Sequence, residues 1–361
     1  MPKVFRLRLK EFTLAMDPST HPEMVVAELA TECSYACTHC FRFSSPDLRY
    51  GVMRDEVFRK LLSDAVEAGV RRFVFTGWGE PTVHPRFVEY LKAVRERFAE
   101  VVLNTNGWRL RELADLIAGL PVDELVVSIE KPRGPARLGG FGGDLFSNLR
   151  RIKELRGAGD KPFIRAVFTA TPLNYRDLPE LVRIAKDLGI NEVVVTHAIP
   201  HTKFAHTCLD GECPDLAEVF EEAAKVAMDV GVAVKTPPLK PNSHRSCPYM
   251  EALGTYVRFD GAVAPCMYYA WSWDTRVLGV WRRIRAVTFG NIMEKHLLDI
   301  WRSPEYAAFR ARAYIPLTPS CLDCELVEYC SFTLSNDTDC FGGSPTCAHC
   351  PYQHRLTYCP T

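Results

Sequence analysis

The chain has 361 residues, with 44 Lys plus Arg balancing 44 Asp plus Glu, 47% hydrophobic residues and 14 cysteines. Zero net charge and the lack of a basic run argue against a nucleic-acid partner held by electrostatics, and no apolar run is long enough to span a membrane. The start, Met1-Pro-Lys-Val-Phe-Arg6, has no signal-peptide core, so a cytoplasmic location is expected, where cysteines serve clusters or metals more often than disulfides. Arg-rich, Gln-poor sequences also occur in hyperthermophiles, whose cytosol tolerates disulfides.

Residues 1–22 are expected to be an N-terminal extension in which Val4, Phe5, Leu7 and Leu9 form a strand or hairpin. From residue 23 to about 200, strands and helices alternate. The strand-like runs are 24–30, 73–76, 101–103, 125–129, 164–169 and 193–196; the helix-patterned ones are 54–68, 85–98, 110–119, 145–157, 178–189 and, later, 216–230. Several helices stop at a glycine, which adopts the left-handed conformation of a helix end without a Cβ clash. The alternation predicts an α/β fold with parallel strands and right-handed crossovers. About six units suit a partial (β/α)6 TIM-like barrel over 23–235 better than a closed eight-stranded one. A Pro-rich linker, Thr236-Pro-Pro-Leu-Lys-Pro241, leads into residues 236–361, where cysteines are dense and helices are expected only at 294–302 and 304–313. So little periodic apolar sequence cannot build a large core, and this C-terminal cysteine-rich domain is expected to be stabilised by bound metal.

Cys33, Cys37 and Cys40 stand as Cys-Ser-Tyr-Ala-Cys-Thr-His-Cys just after the first barrel strand, on a βα loop, where α/β folds carry their chemistry. An electron-transfer cubane is closed by four cysteines. Three thiolates with no nearby fourth leave one iron open, as a catalytic zinc site keeps an open position. The next strand ends add Gly77-Trp-Gly79-Glu80-Pro, Asn104-Thr-Asn-Gly107 and Ser128-Ile-Glu130. Gly77 and Gly79 would let a ligand approach the backbone, and Glu80 offers a carboxylate. His84 reads as a structural or capping residue.

This succession resembles the radical S-adenosylmethionine (SAM) superfamily over roughly residues 23–200. The resemblance implies a [4Fe–4S] cluster on Cys33, Cys37 and Cys40 whose open iron is chelated by the amino and carboxylate groups of SAM. Reductive cleavage of SAM would then yield a 5′-deoxyadenosyl radical that abstracts hydrogen from a substrate, with an electron donor such as ferredoxin as a partner. It further implies Gly77, Gly79 and Glu80 at the methionine amino end, Asn104 and Ser128 at the ribose and Arg165 at the SAM carboxylate. Trp78 departs from the family's usual GGE turn, and His39 replaces a common aromatic residue.

The later cysteines resemble the SPASM extension of that superfamily, which carries two auxiliary [4Fe–4S] clusters. The pattern is Cys247, then Gly261-xxxx-Cys266, then Cys321-xx-Cys324-xxxxx-Cys330 and further cysteines. It implies one cluster on Cys321, Cys324 and Cys330 completed by Cys350, and one nearer the active site on Cys247, Cys266 and Cys340. The family's next cysteine falls on Leu334, so Cys347, Cys350 and Cys359 compete for the remaining places. Zinc at Cys347 and Cys350 is the alternative. Cys208 and Cys213, directly after the last core strand, could be a substrate-side redox pair, extra ligands, inert or a disulfide, and are assigned no role. Tyr268, Tyr269, Trp271 and Trp273 read as packing around a cluster, with pterin or peptide stacking as the sharper alternative. The Gly77 turn and the tail from Asn336 look like the subgroup linked to maturation of tungsten-containing aldehyde:ferredoxin oxidoreductases, which implies a tungstopterin oxidoreductase as partner. The alternatives are a peptide- or protein-modifying maturase forming a thioether or cross-link, and a non-enzymatic iron–sulfur carrier or zinc-stabilised binding module.

Overall fold

A computed structural model describes residues 6–15, 17, 19–119, 122–132, 145–157, 159–202, 206–315 and 317–359; Val4 and Phe5 of the expected first strand lie outside them. The extension forms an antiparallel hairpin of β1 (Arg6–Leu9) and β2 (Phe12–Ala15). Six βα units follow, in the order β3 (Met24–Ala27), α1 (Asp55–Glu67), β4 (Arg72–Phe75), α2 (Phe87–Arg95), β5 (Glu100–Thr105), α3 (Leu110–Gly119), β6 (Glu124–Ser128), α4 (Leu145–Arg156), β7 (Phe163–Ala170), α5 (Leu178–Ala185), β8 (Glu192–His197) and α6 (Leu216–Val230). After them come β9 (Ala233–Lys235), α7 (Pro248–Glu251), β10 (Gly254–Val257), β11 (Val263–Ala264), β12 (Trp273–Val277), β13 (Val280–Ile284), α8 (Leu297–Trp301) and α9 (Pro304–Tyr314).

The main sheet has nine strands in the order β11-β10-β3-β4-β5-β6-β7-β8-β9, and only the β10–β11 pair is antiparallel. The six-unit α/β partial barrel is therefore as expected, and strands from the later sequence lengthen it at both edges. Alternation along each strand sorts the side chains. Val25, Phe73, Phe75, Leu103, Leu125, Phe168 and Val195 point to one face, where they pack against Phe58, Leu61, Leu91, Ile117, Ile152 and Phe220 of the helices. Val26, Val74, Val102 and Val126 point the other way and join a second core with Tyr249, Trp271, Trp273, Cys347 and Cys350. The helices owe their place to amphipathic spacing, and α6 ends on Gly231, whose φ of 69° is the left-handed cap only glycine takes without strain.

The β12–β13 hairpin lies in sequence that had no predicted periodic element. Leu278 and Gly279 at its tip have φ of 51° and 81°, the pair of left-handed residues that turns two strands with the right twist. Buried and open positions alternate along both strands, but charged Arg282 occupies a buried position and donates to the carbonyls of Val277 and Val280. That substitution of an arginine for an apolar residue hid the strand. Among the described residues, no helix is long and apolar enough to cross a membrane.

Candidate active site

A cavity of about 720 Å³ opens inside the partial barrel, and Cys33, Cys37 and Cys40 line it. The same wall carries Asn104, Ser128, Arg165 and Glu130, together with Trp78, Phe41, Met267, Val126 and Val194. These come from alternate positions of successive strands, so the inward pleat and the βα loops jointly build the chamber.

The cysteine loop is fixed by its own neighbours. Buried Arg42 donates to the carbonyls of Thr31 (3.2 Å) and Tyr35 (2.8 Å), tying both ends of the loop. The backbone N–H of Tyr35 and the Nδ2 of Asn106 each donate to Cys33 Sγ at 3.4 Å. Burial pushes the Cys40 thiol up, and the nearby Arg42 guanidinium opposes that shift. Asn106 and Arg42 were not singled out from the sequence; the only signal for Asn106 was its place two residues after Asn104, at a strand end.

The glycine turn serves the protein rather than an open surface. A Cβ at Gly79 would fall 2.2 Å from the carbonyl oxygen of Glu32, and one at Gly77 would fall 2.7 Å from Glu28 Cγ. Gly79 is thus required because the turn packs on the cysteine loop, with Gly79 N bonded to Ala30 O and Glu80 N to Glu32 O, and Gly77 because it packs on the Glu28 side chain and Tyr256. Glu80 Oε1 accepts from Thr82 N, Thr82 Oγ1 and Thr105 Oγ1, and Oε2 accepts from Asn106 N. Four donors match the acceptor capacity of a carboxylate, so Glu80 is a brace between its own turn after β4 and the end of β5, and neither it nor the glycines line the cavity.

Arg165 lines the cavity, and its guanidinium is held between Glu124 and Glu192, the latter at 2.5 Å, beside the first residue of β8. Asn104 Oδ1, in contrast, is buried with no hydrogen-bond partner among the described residues. His39 Nε2 stands 3.8 Å from Glu130 Oε1 on the cavity wall. His84 is structural: Nε2 meets Met53 O at 2.8 Å and Nδ1 accepts from Arg86 N.

Trp78 joins the barrel to the later sequence. Its indole donates to Met267 O (2.9 Å), its ring meets Phe41 edge-on at 4.6 Å, and its backbone N–H donates to Glu28 Oε2. Glu28 also accepts from Tyr256 OH (2.6 Å) and Trp271 Nε1 (3.2 Å), and burial, opposed by these bonds, pushes its carboxyl up to about 7. Tyr268, Tyr269, Trp271 and Trp273 are buried in the second core and do not line the cavity.

Most of the remaining free thiols have other thiols as neighbours. Burial raises the Cys266 thiol well above its ordinary value, and Cys350 and Cys247 beside it push the same way. Cys359 is raised by burial and then by Cys266, Cys247 and Cys350, and Cys347 by burial and then by Cys350 and Cys247. Cys350 therefore sits with Cys247 and Cys266. Cys321, pushed up to about 12 by burial, has Cys340 and then Cys330 as its thiol neighbours. Cys321 therefore has Cys340 beside it, and Cys266 has Cys350. Thiols raised so far by burial are poor partners for water. The positive charge of bound iron deprotonates such thiols outright, so the donor sets fit iron–sulfur clusters.

Three cysteines on the first βα loop of a partial barrel, backed by further buried thiol groups, define an α/β iron–sulfur enzyme. The radical SAM superfamily matches residues 28–159, and the SPASM iron–sulfur cluster-binding domain matches residues 247–325. A Pyrococcus furiosus protein named "Tungsten-containing aldehyde ferredoxin oxidoreductase cofactor-modifying protein" is 32% identical over 344 residues, 92% of this chain and 96% of the relative. A PqqA peptide cyclase of Gluconobacter oxydans is 23% identical over 353 residues, 93% of each chain. Among solved structures, Streptococcus suis SuiB bound to S-adenosylmethionine superposes with a TM-score of 0.63 at 18% identity, covering 86% of this chain and 72% of SuiB. Native anSMEcpe with bound AdoMet gives 0.60 at 18% identity over 93% of each chain. The chain belongs to the radical SAM superfamily and carries its SPASM iron–sulfur domain, so it is an enzyme whose cofactors are SAM and [4Fe–4S] clusters.

Proposed function

We propose that this enzyme matures a tungstopterin cofactor, or the oxidoreductase that holds it, by radical SAM chemistry. The observation that carries the reading is 32% identity along nearly the whole length of a protein named for that cofactor modification. The cavity volume of about 720 Å³ falls within the range of small-molecule sites.

Cys33, Cys37 and Cys40 hold the SAM-binding cluster, and Asn106 steadies Cys33 by its hydrogen bond. Cluster and SAM together supply the radical that abstracts hydrogen. Asn104, with its buried unpartnered Oδ1, and Ser128 are the polar contacts for the ribose. Gly77, Gly79 and Glu80 act at one remove, by holding the turn against the cysteine loop. Trp78, Phe41, Val126 and Val194 form apolar walls that exclude water from a reactive intermediate. Of the auxiliary ligands, Cys321, Cys324, Cys330 and Cys340 form one set, and Cys247, Cys266, Cys350 and Cys359 or Cys347 form the other.

The peptide-modifying alternative draws on the full-length but weaker likeness to a peptide cyclase. Anaerobically reconstituted enzyme, reduced with dithionite, separates the two. Release of 5′-deoxyadenosine together with a mass change on tungstopterin extracted from the oxidoreductase supports cofactor maturation. A mass change on a cysteine-rich peptide, with tungstopterin unaltered, overturns it.

A further inference from the structure

With Cys208 and Cys213 joined in a disulfide, the free thiols divide by exposure. The triplet lines the cavity and Cys347 and Cys350 are buried, whereas Cys324 and Cys340 are exposed and Cys330 is half-buried. One thiol group therefore reaches the surface, on a segment built from two successive single turns, Val327–Tyr329 and Ser331–Leu334. The turns are locked together. Thr333 Oγ1 donates to the carbonyls of Cys330 (2.8 Å) and Val327 (3.2 Å), and Val327 N donates to Cys324 O.

The surface around those thiols is apolar and acidic at once. Leu326, Tyr329, Phe332, Leu334 and Phe341 are all exposed, Tyr329 by 86% and Phe341 by 70%. Phe341 joins the others through Cys340, since Cys340 and Cys330 both flank Cys321. Exposed apolar residues scattered singly are ordinary, but a group of them marks a contact surface. The charge is one-sided too. No Lys or Arg occurs between Arg312 and Arg355, while Asp323, Glu325, Glu328 and Asp337 are exposed there. Asp337 is paired with Arg285 at 3.2 Å. Asp323, Glu325 and Glu328 have no salt bridge among the described residues. Arg245 lies near Asp323, but its guanidinium donates to the carbonyls of Thr318 and Pro319. In a chain of zero net charge, these three carboxylates are left for cations from outside.

We propose that this surface is the docking site of a small electron-carrier protein whose own contact face is apolar and rimmed by Lys or Arg. The proposal rests on the assignment of Cys321, Cys324, Cys330 and Cys340 to one iron–sulfur cluster. An apolar centre inside a polar rim is the anatomy of a protein interface, and redox encounters use small ones, below about 1,200 Å², steered by charge. Here the sign selects the partner. A basic rim answers Asp323, Glu325 and Glu328, whereas an acidic ferredoxin meets like charge within the Debye length of about 8 Å at physiological salt. On docking, the reduced carrier gives up one electron and the enzyme takes up one, with no proton or bond changing hands.

The test uses the cluster-loaded full chain, kept oxidised so that binding is read without electron flow. Two probes are titrated by calorimetry: ferric cytochrome c, whose haem edge is rimmed by lysines, and an oxidised acidic ferredoxin. Cytochrome c is expected to bind with an affinity that falls about tenfold between roughly 0.02 and 0.2 M salt, and ferredoxin not to bind. Asp323→Asn/Glu325→Gln/Glu328→Gln should weaken cytochrome c about tenfold at low salt and flatten the salt dependence. Leu326→Ser/Tyr329→Ser should weaken it at both salt concentrations. Iron content and dithionite-driven release of 5′-deoxyadenosine should stay at the wild-type level, which separates failure of the docking site from failure of the radical SAM reading. Should a variant lose iron, carbodiimide cross-linking of the wild type to cytochrome c, mapped by mass, is expected to give links at Asp323, Glu325 and Glu328. Links confined to other carboxylates, ferredoxin bound as tightly as cytochrome c, undiminished affinity in the charge variant, or a dimer in sedimentation that Leu326→Ser/Tyr329→Ser breaks each overturns the proposal.

Discussion

Between Met24 and Lys235 the chain repeats one unit, and its outward side chains fill a continuous apolar layer under the helices. Beyond Pro241 it has short helices, two small sheet additions and one hairpin, with most of the free cysteines among them. The two regions meet at Glu28, Trp78 and Tyr256, so the second core is shared rather than separate. The contrast is one of driving force. The barrel gains stability from burying hydrocarbon, whereas the cysteine-rich region keeps thiols buried that gain most of their stabilisation when they ligate iron.

The largest expected effect tests the division of labour among the thiols. Cys37→Ala should abolish SAM cleavage, assayed as 5′-deoxyadenosine release, while the auxiliary iron remains measurable by absorbance and iron analysis. Loss of all iron would show instead that the regions assemble as one unit. Next come the auxiliary sets. Cys340→Ala should reproduce the iron loss and spectrum of Cys321→Ala, and Cys350→Ala those of Cys266→Ala; the reverse pairing would restore the assignment implied by family resemblance. In the barrel, Phe168→Ala removes a fully buried ring from the layer between sheet and helices. It should cost about 3–5 kcal/mol in unfolding free energy, with the iron content of the folded fraction unchanged.

The smallest effect probes the seam. Glu28 has its folded-state carboxyl raised to about 7 from 4.5. The stability contributed by its protonated form is fully present below pH 4.5 and is lost as pH rises through about 7, with a slope of at most about 1.4 kcal/mol per pH unit. Thermal unfolding between pH 5.5 and 7.5 should therefore decline in the wild type and flatten in Glu28→Gln. A parallel decline in both would assign the pH dependence to other groups.

The barrel was legible because its signals are local. Alternating strands, helix-period segments and terminal glycines are each complete within a dozen residues, and β3 to α6 appear where that pattern placed them. The cysteine triplet and the polar strand ends were legible for the same reason. Arg282 concealed the β12–β13 hairpin, since a buried arginine reads as surface until the carbonyls that accept from it are known. Asn106 and Arg42 were silent because their importance lies in a partner more than sixty residues away, or in carbonyls that the loop turns inward.

What the sequence by itself determined was the chemistry: three cysteines spaced to leave an iron open, on a loop that follows a parallel strand. The tertiary structure decided how the remaining groups are shared out. It turned Glu80 and its glycines into a brace, set Arg165 between two carboxylates, and put Cys340 beside Cys321 and Cys350 beside Cys266. Residue spacing cannot convey such choices, because they depend on which loops lie against one another and on how many donors each buried carboxylate or thiol must satisfy.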